Sequence, residues 1–322
     1  MSVTAETDKV EHCILPIPPD NLLTGKMPVR QGLLPGVLGI VAFALTLPFT
    51  RIAVLESSPL DVFTLRLFIA SAVAALVLWL ARTPFPPRQT WLMLSLVVLG
   101  VVFGFPLFTS LAMRSEASAH GGVVLGILPL ATALAANVMH RERPTAAFWV
   151  TALVGSTLVV VFSLTGGAAA TGVGISHGDI YLFLAIVSAS IGYAAGGGLS
   201  RILPAWQVIS WALAVSLPAG LLLLLTVDFA SLRQSDSAFK LTGSLLYLGL
   251  ISQYGGFLLW YRALALDGVA RASQIQLSQP FLTLIGAWLL LGESIDVVTI
   301  VFAVLILLTI VISRQVRIVQ PS

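Results

Sequence analysis

The chain has 322 residues, of which 57% are hydrophobic and only 10% charged, with a formal net charge of +3 and a mean hydropathy of +0.99. A soluble domain carries about 25% charged residues, so this sequence cannot cover a globular surface with polar groups, and its solvent is lipid. The small, dispersed positive charge argues against a nucleic-acid partner, and the single cysteine, Cys13, excludes an internal disulfide or a cysteine-built metal cluster.

The first 31 residues hold Asp8, Glu11 and Asp20 among Pro16, Pro18, Pro19 and Pro28, with no apolar run long enough for a signal peptide. They read as a disordered tail. Beyond them, a spanning helix needs about 20 apolar residues, because roughly 30 Å of hydrocarbon is crossed at about 1.5 Å per residue. Ten stretches qualify. In the first half they are Leu33–Val54, Leu60–Ala81, Trp91–Met113, Ala119–Met139 and Ala146–Leu164. In the second they are Ile180–Leu199, Trp206–Val227, Leu241–Tyr261, Ala270–Leu291 and Val297–Ile312. Between the halves, residues 165–178 are rich in Gly, Ala and Thr and free of Lys and Arg, the composition of a linker. The expected layout is therefore a tail (1–31), a first repeat (32–164), the linker, a second repeat (179–314) and a short tail (315–322). The fold class is all-α integral membrane, with ten transmembrane helices arranged as two five-helix repeats.

The repeat shows as a register. Pro129 pairs with Pro280, Thr132 with Thr283, Ala136 with Ala287 and Glu142 with Glu293, each at an offset of 151. The same offset pairs Gly104 with Gly255, Ala112 with Ala263 and Glu116 with Asp267. A gapless register through apolar helices, with acids and prolines in step, signals internal duplication.

Basic residues set the orientation. With the N-terminus in the cytoplasm, Arg82, Arg88, Arg141, Arg143, Arg201, Arg262, Arg271, Arg314 and Arg317 fall on the cytoplasmic side along with Lys9, Lys26 and Arg30. Only Arg51, Arg114, Arg233 and Lys240 fall on the other. Both termini are then cytoplasmic, and an odd number of helices per repeat makes the second copy inverted.

Enzyme motifs are missing: no phosphate-binding G-x-x-x-x-G-K-[ST], no G-x-S-x-G, no H-E-x-x-H and no C-x-x-C. No cofactor or metal is implied. The run Gly196–Gly198 reads as close helix packing or a hinge rather than a phosphate cradle. No acid is centred in a span, so a buried carboxylate relay is not evident, although Asp61, Asp179 and His120 stand where a vestibule would reach them.

Arg66 is the one charge well inside a span. It either snorkels to the interface or faces the bundle interior, where it meets an anionic group of a solute or braces Asp61 or Glu116. A lone arginine suits a neutral, zwitterionic or monoanionic solute better than a doubly charged phosphate. The ninth stretch is the most polar, and its Gln276 and Gln279 share one helix face just before Pro280, where the first copy has Leu125 and Leu128. These amides serve either interhelical hydrogen bonds or a solute. Pro129 and Pro280 loosen their helices as hinge candidates. Tyr193, Trp211 and Tyr254 are candidate pocket walls, with Trp260 and Tyr261 read more simply as interfacial anchors.

Each half closes with a proline-bearing apolar helix, an acid and a final helix: Pro129 then His140-Arg141-Glu142-Arg143-Pro144, and Gln279-Pro280 then Leu291-Gly292-Glu293. The second half opens with Gly178-Asp179-Ile180-Tyr181, and its third stretch closes with Leu259-Trp260-Tyr261-Arg262-Ala263-Leu264. This resembles the drug/metabolite transporter superfamily, specifically bacterial EamA-type exporters, over the whole chain after the tail. Where many members carry an acid before the second proline, this chain has Gln279. The resemblance implies a multi-pass inner-membrane protein that exports amino-acid-like or drug-like metabolites by alternating access. Its partners would be a small-molecule solute, the bilayer and, as a homodimer, a second copy. Within transport, exchange of a sugar-like or phosphorylated metabolite is the alternative; outside it, a membrane sensor or assembly subunit.

Overall fold

In the computed structural model the described residues are 32–140, 146–165, 175–229, 238–267 and 275–315. The first expected tail, all of the second but Gln315, most of the linker, and Glu142, Arg271 and Gln274 lie outside them. The described residues are helical throughout their regular structure, with no strand among them. Six helices are long and apolar enough to cross a membrane: α1 Leu33–Glu56, α2 Pro59–Leu80, α3 Arg88–Ala112, α4 Ser118–Met139, α6 His177–Leu199 and α7 Ala205–Thr226. The others are α5 Ala146–Thr165, α8 over residues 238–267, α9 over residues 276–291 and α10 Val297–Gln315. Three of these four have shorter apolar cores, Leu153–Phe162, Gln279–Leu291 and Val297–Thr309. α8 carries Ser244, Ser252, Gln253 and several glycines within its length.

Neighbours follow the register of the sequence. α1 lies against α8 and α9, while α6 lies against α3 and α4; α2 meets α7, α4 meets α9 and α5 meets α10. Exchanging α1 to α5 for α6 to α10 returns the same set of neighbours. At the α3–α6 crossing, a Cβ on Gly100 would stand 2.4 Å from the Ser188 carbonyl oxygen and 2.8 Å from the Gly192 nitrogen. Only glycine lets the two backbones touch there. The Gly196–Gly198 run is likewise buried in helix packing, with Tyr261 against Gly196.

Prolines account for where the helices depart from α geometry. Pro129 has no N–H for the carbonyl of Leu125, and the Leu128 N–H takes it instead, tightening Leu125–Ile127 into a 3₁₀ turn. Pro280 does the same to Gln276, whose carbonyl accepts from Gln279 N–H within the 3₁₀ turn Gln276–Ser278. These two turns are 151 residues apart. π-helical stretches recur in step as well, Val98–Gly104 in α3 and Tyr247–Gly256 in α8. α1 breaks at Leu45, between Ala44 and Thr46. There Pro48 leaves the Ala44 carbonyl without its helical donor, and Thr283 Oγ1 of α9 donates to it at 2.9 Å. Tyr247 Oη donates to the Ala42 carbonyl at 2.9 Å. In lipid no water is at hand for such groups, so a side chain from another helix must serve.

Both ends of the bundle are tied by connections. At one, Glu293 beyond α9 accepts from Ser118 N (2.9 Å), Ser118 Oγ (2.9 Å) and Ala119 N (2.8 Å), capping the start of α4. Arg51 near the end of α1 donates to the Met113 and Arg114 carbonyls after α3, and Arg114 donates back to Val54 at 2.6 Å. At the other, Phe85 after α2 packs on Trp91 and on Trp211 of α7.

The Thr283 bond gives a test. Thr283→Val should lose about 0.5–1.5 kcal/mol, lowering the melting temperature by roughly 1–3 °C in a chain of this size. In a Pro48→Ala background, where the Ala44 carbonyl regains a backbone donor, the same change should be close to neutral. Equal losses in both backgrounds would show that Thr283 packs rather than bonds.

Candidate functional site

α3 repeats the story of α1. Pro106 has no N–H for the Val102 carbonyl, and the π stretch that precedes it leaves this part of the backbone reaching outward. Gln253 of α8 fills the gap: its Nε2 donates to the carbonyls of Val101 (3.4 Å) and Val102 (3.3 Å). With the amide nitrogen so placed, Oε1 points the other way, and Arg66 Nε donates to it at 2.5 Å. Arg66 Nη2 reaches Ser252 Oγ at 3.5 Å, and Ser252 shares a 2.7 Å bond with Thr46 at the break in α1. One polar chain therefore runs from α3 through α8 to α2 and α1.

Arg66 is 1% exposed. It does not snorkel, and it braces neither Asp61, which bonds Ser57 and caps α2 with Ser58, nor Glu116, which bonds Ser176. Among the described residues no carboxylate stands within ion-pairing distance of this guanidinium. Its Nη1 is buried and meets no hydrogen-bond partner. Burying a cation costs several kcal/mol unless it is paired and fully bonded, and here one nitrogen and the counter-charge are both wanting.

A second polar spot lies on α9. Gln276 is 1% exposed and Gln279 8%. Both polar ends of Gln276 and the Oε1 of Gln279 are buried without a partner. With Pro280 and Thr283 they line one wall of a narrow crevice; Gly122 and Leu125 of α4 line the other, and the gap between them, about 10 Å³, has room for about one water. Interhelical hydrogen bonding is thus not what these amides do in this conformation. Ser278, on the other face, is exposed and bonds only the Ile275 carbonyl. Thr283 ties this wall to the Ala44 carbonyl of α1, and Ser252 ties Arg66 to Thr46. The break in α1 thus links the two spots, although Arg66 and the glutamines do not bond each other.

Of the other candidates, Tyr193 lies within electrostatic reach of Arg66, while Trp211 and Tyr254 stand apart from it. Tyr193 is 2% exposed within an aromatic group of Phe43, Phe257 and Trp260, at ring separations of 6.4, 5.7 and 6.1 Å. Tyr254 is buried and shares a 3.1 Å bond with Ser210. Trp211 stands 4.9 Å from Phe85, toward the end of the bundle, with its Nε1 buried and unpartnered. Trp260 and Tyr261 are wholly buried. The interfacial reading of that pair is corrected: α8 runs on past them to Asp267, which keeps both rings inside the bundle. Pro129 and Pro280 sit at 3₁₀ turns inside continuous helices rather than at open breaks. Sequence reasoning missed Ser252 and Gln253. The available signal was a polar pair in the middle of an apolar span.

The profile of the EamA-like transporter family matches residues 30–164 and again residues 176–315. The "Uncharacterized transporter YdeK" of Bacillus subtilis is 38% identical over 287 residues, covering 88% of this chain and 97% of its own. An "Uncharacterized transporter" of Archaeoglobus fulgidus is 27% identical over 282 residues, covering 86% and 96%. A solved structure described only as a crystal structure of a protein aligns over 87% of this chain and 95% of its own, with a TM-score of 0.58 and 19% identity. At that identity it shows a shared fold.

The central linkage is testable. Gln253→Leu strands Arg66 Nε and the Val102 carbonyl together, and leaving such groups unmet costs about 1–3 kcal/mol each. Combining it with Arg66→Leu should cost clearly less than the two changes added, in a double-mutant cycle read by thermal melting. Strict additivity would mean that the two side chains do not interact.

Proposed function

The chain belongs to the EamA-like transporter family and is a multi-pass membrane protein, and from that premise we propose that it is a secondary transporter exporting a small organic metabolite by alternating access. In this reading it has ten transmembrane helices in two inverted repeats, residues 32–164 and 179–314, with both termini on the cytoplasmic side of the inner membrane. The double match of the family profile, the 3₁₀ turns 151 residues apart and the exchangeable set of helix neighbours support the duplication. So does the gathering of Glu116, Ser118, Asp179 and Glu293 at one end while Phe85 and Trp211 meet at the other.

The observation that carries the solute site is the buried, acid-free guanidinium of Arg66 with one nitrogen unmet. A fixed cation in a water-poor interior favours a solute with an acceptor or a single negative charge, such as a carboxylate. Gln276 adds an amide donor and an acceptor, and Gln279 an acceptor, at the α4–α9 wall. Tyr193 supplies apolar surface from the aromatic group; Tyr254 and Trp211 stand further along the path toward the end marked by Phe85. Alternating access then consists of the two halves rocking across the prolines at 48, 106, 129 and 280, where helices already depart from α geometry.

In proteoliposomes offered a panel of labelled metabolites, Arg66→Ala should abolish specific flux while the protein stays monodisperse. Arg66→Lys should restore only part of it, because an ammonium lacks the fork that meets a planar acceptor. Gln276→Leu and Gln279→Leu install what the first copy carries, so they should hold the melting temperature and weaken affinity by several-fold to about tenfold. Wild-type affinity with a lowered melting temperature would move the amides from solute to scaffold. No specific flux from the parent protein for any solute would favour a sensor or assembly subunit.

Orientation is checked separately, with Cys13 first replaced by Ser. In intact cells, Gln89→Cys should resist a membrane-impermeant thiol reagent and Ser115→Cys should react with it. The reverse pattern would invert the topology.

A further inference from the structure

Three polar atoms on the α9 wall meet no partner in the protein: Gln276 Oε1, Gln276 Nε2 and Gln279 Oε1. Gln276 is 1% exposed and Gln279 8%, so bulk solvent does not serve them, and lipid has no hydrogen bonds to give. Their neighbours in the crevice do not serve them either. Thr283 Oγ1 gives its one proton to the Ala44 carbonyl, while Leu125 and Pro280 have no donor on their side chains.

The crevice is narrow because α4 carries glycine where α9 comes close. A Cβ on Gly122 would stand 2.7 Å from Thr283 Cγ2, and one on Gly126 would stand 3.3 Å from Pro280 Cγ. The space that is left, about 10 Å³, is near the least that holds one water and is too small for an organic group.

Two acceptors and one donor are the complement of a water molecule. At the edge of a carboxamide, one water accepts from the N–H while it donates to the carbonyl of the same group. Its second O–H is then left for Gln279 Oε1. Three bonds are the usual number for a buried water. A sodium ion would suit the two oxygens, but it would face the hydrogens of Gln276 Nε2, and no carboxylate lines the crevice to answer its charge.

We propose that the α4–α9 crossing holds one ordered water, bound by the carboxamide of Gln276 and by Gln279 Oε1. The site belongs to the second half alone, since Leu125 and Leu128 stand at the same register in the first. The site itself does not depend on the transport reading, but one consequence does. A solute reaches these amides by displacing a water, without breaking a bond between helices.

Hydroxyl-radical footprinting with synchrotron X-rays, on the solute-free full chain in nanodiscs, tests the site. Radicals born from an ordered water mark the side chains around it, including those that bulk solvent does not reach. Leu125, on the crevice, should be oxidised several-fold more than Leu128, which is buried on the same helix and does not line it. In Gln276→Leu the Leu125 signal should fall to the Leu128 level. Gln279→Leu removes one acceptor and keeps the carboxamide edge, so it should lower the signal in part, and it decides the matter if Gln276→Leu does not fold. Melting temperature should be the same in sodium and choline chloride at matched ionic strength. A sodium-dependent rise that is lost in Gln276→Leu would put a cation in the crevice and overturn the proposal. Because no solute is present, failure here leaves the transport reading to its own flux assay. Equal labelling of Leu125 and Leu128 in the parent chain, or a Leu125 signal unchanged by the glutamine substitutions, would overturn the proposal as well.

Discussion

Lipid offers no hydrogen bonds, and the structure depends on how this chain meets that constraint at its prolines. Pro48 and Pro106 each unseat a carbonyl in the first half, those of Ala44 and Val102. The second half answers both, with Thr283 from α9 and Gln253 from α8. The first half does not complete its own backbone. It needs the second's side chains, which joins the two by directional bonds in addition to the small-residue packing of α3 on α6. Thr132, the register partner of Thr283, is buried with its hydroxyl unmet.

The same arithmetic of donors and acceptors locates the candidate site. Gln253 has one donor end and one acceptor end; the π stretch of α3 claims the first, so the second is fixed toward Arg66. An arginine held from one side by an amide and a serine, with no acid opposite, is positioned rather than neutralised. Moving α1 or α8 disturbs Thr46 and Ser252, and through them the guanidinium.

Much of this was legible in the sequence because duplication leaves a register. The register pairs Pro129 with Pro280, and in the structure each is preceded by a 3₁₀ turn; it also pairs Gln276 with Leu125, and both line the α4–α9 crevice. Arg66 stood out because a charge within a span has few places to go. Gln253 did not stand out, since its role depends on which helix brings a proline-freed carbonyl beside it. That is a fact of packing, which periodicity does not carry. Trp260 and Tyr261 misled for a related reason: aromatic residues near a helix end look interfacial until the helix proves to run further. His120 and Asp179 were visible singly, and only the fold sets them 2.7 Å apart.

On the transport reading proposed above, the solute meets the interior polar atoms that the protein leaves unmet. A high-resolution structure of the solute-bound protein in a nanodisc tests it most directly. An acceptor atom of the solute should lie within about 3 Å of Arg66 Nη1, with the Gln253 and Ser252 bonds kept. A solute seated elsewhere, with Nη1 turned to a protein carbonyl or a carboxylate, would contradict it.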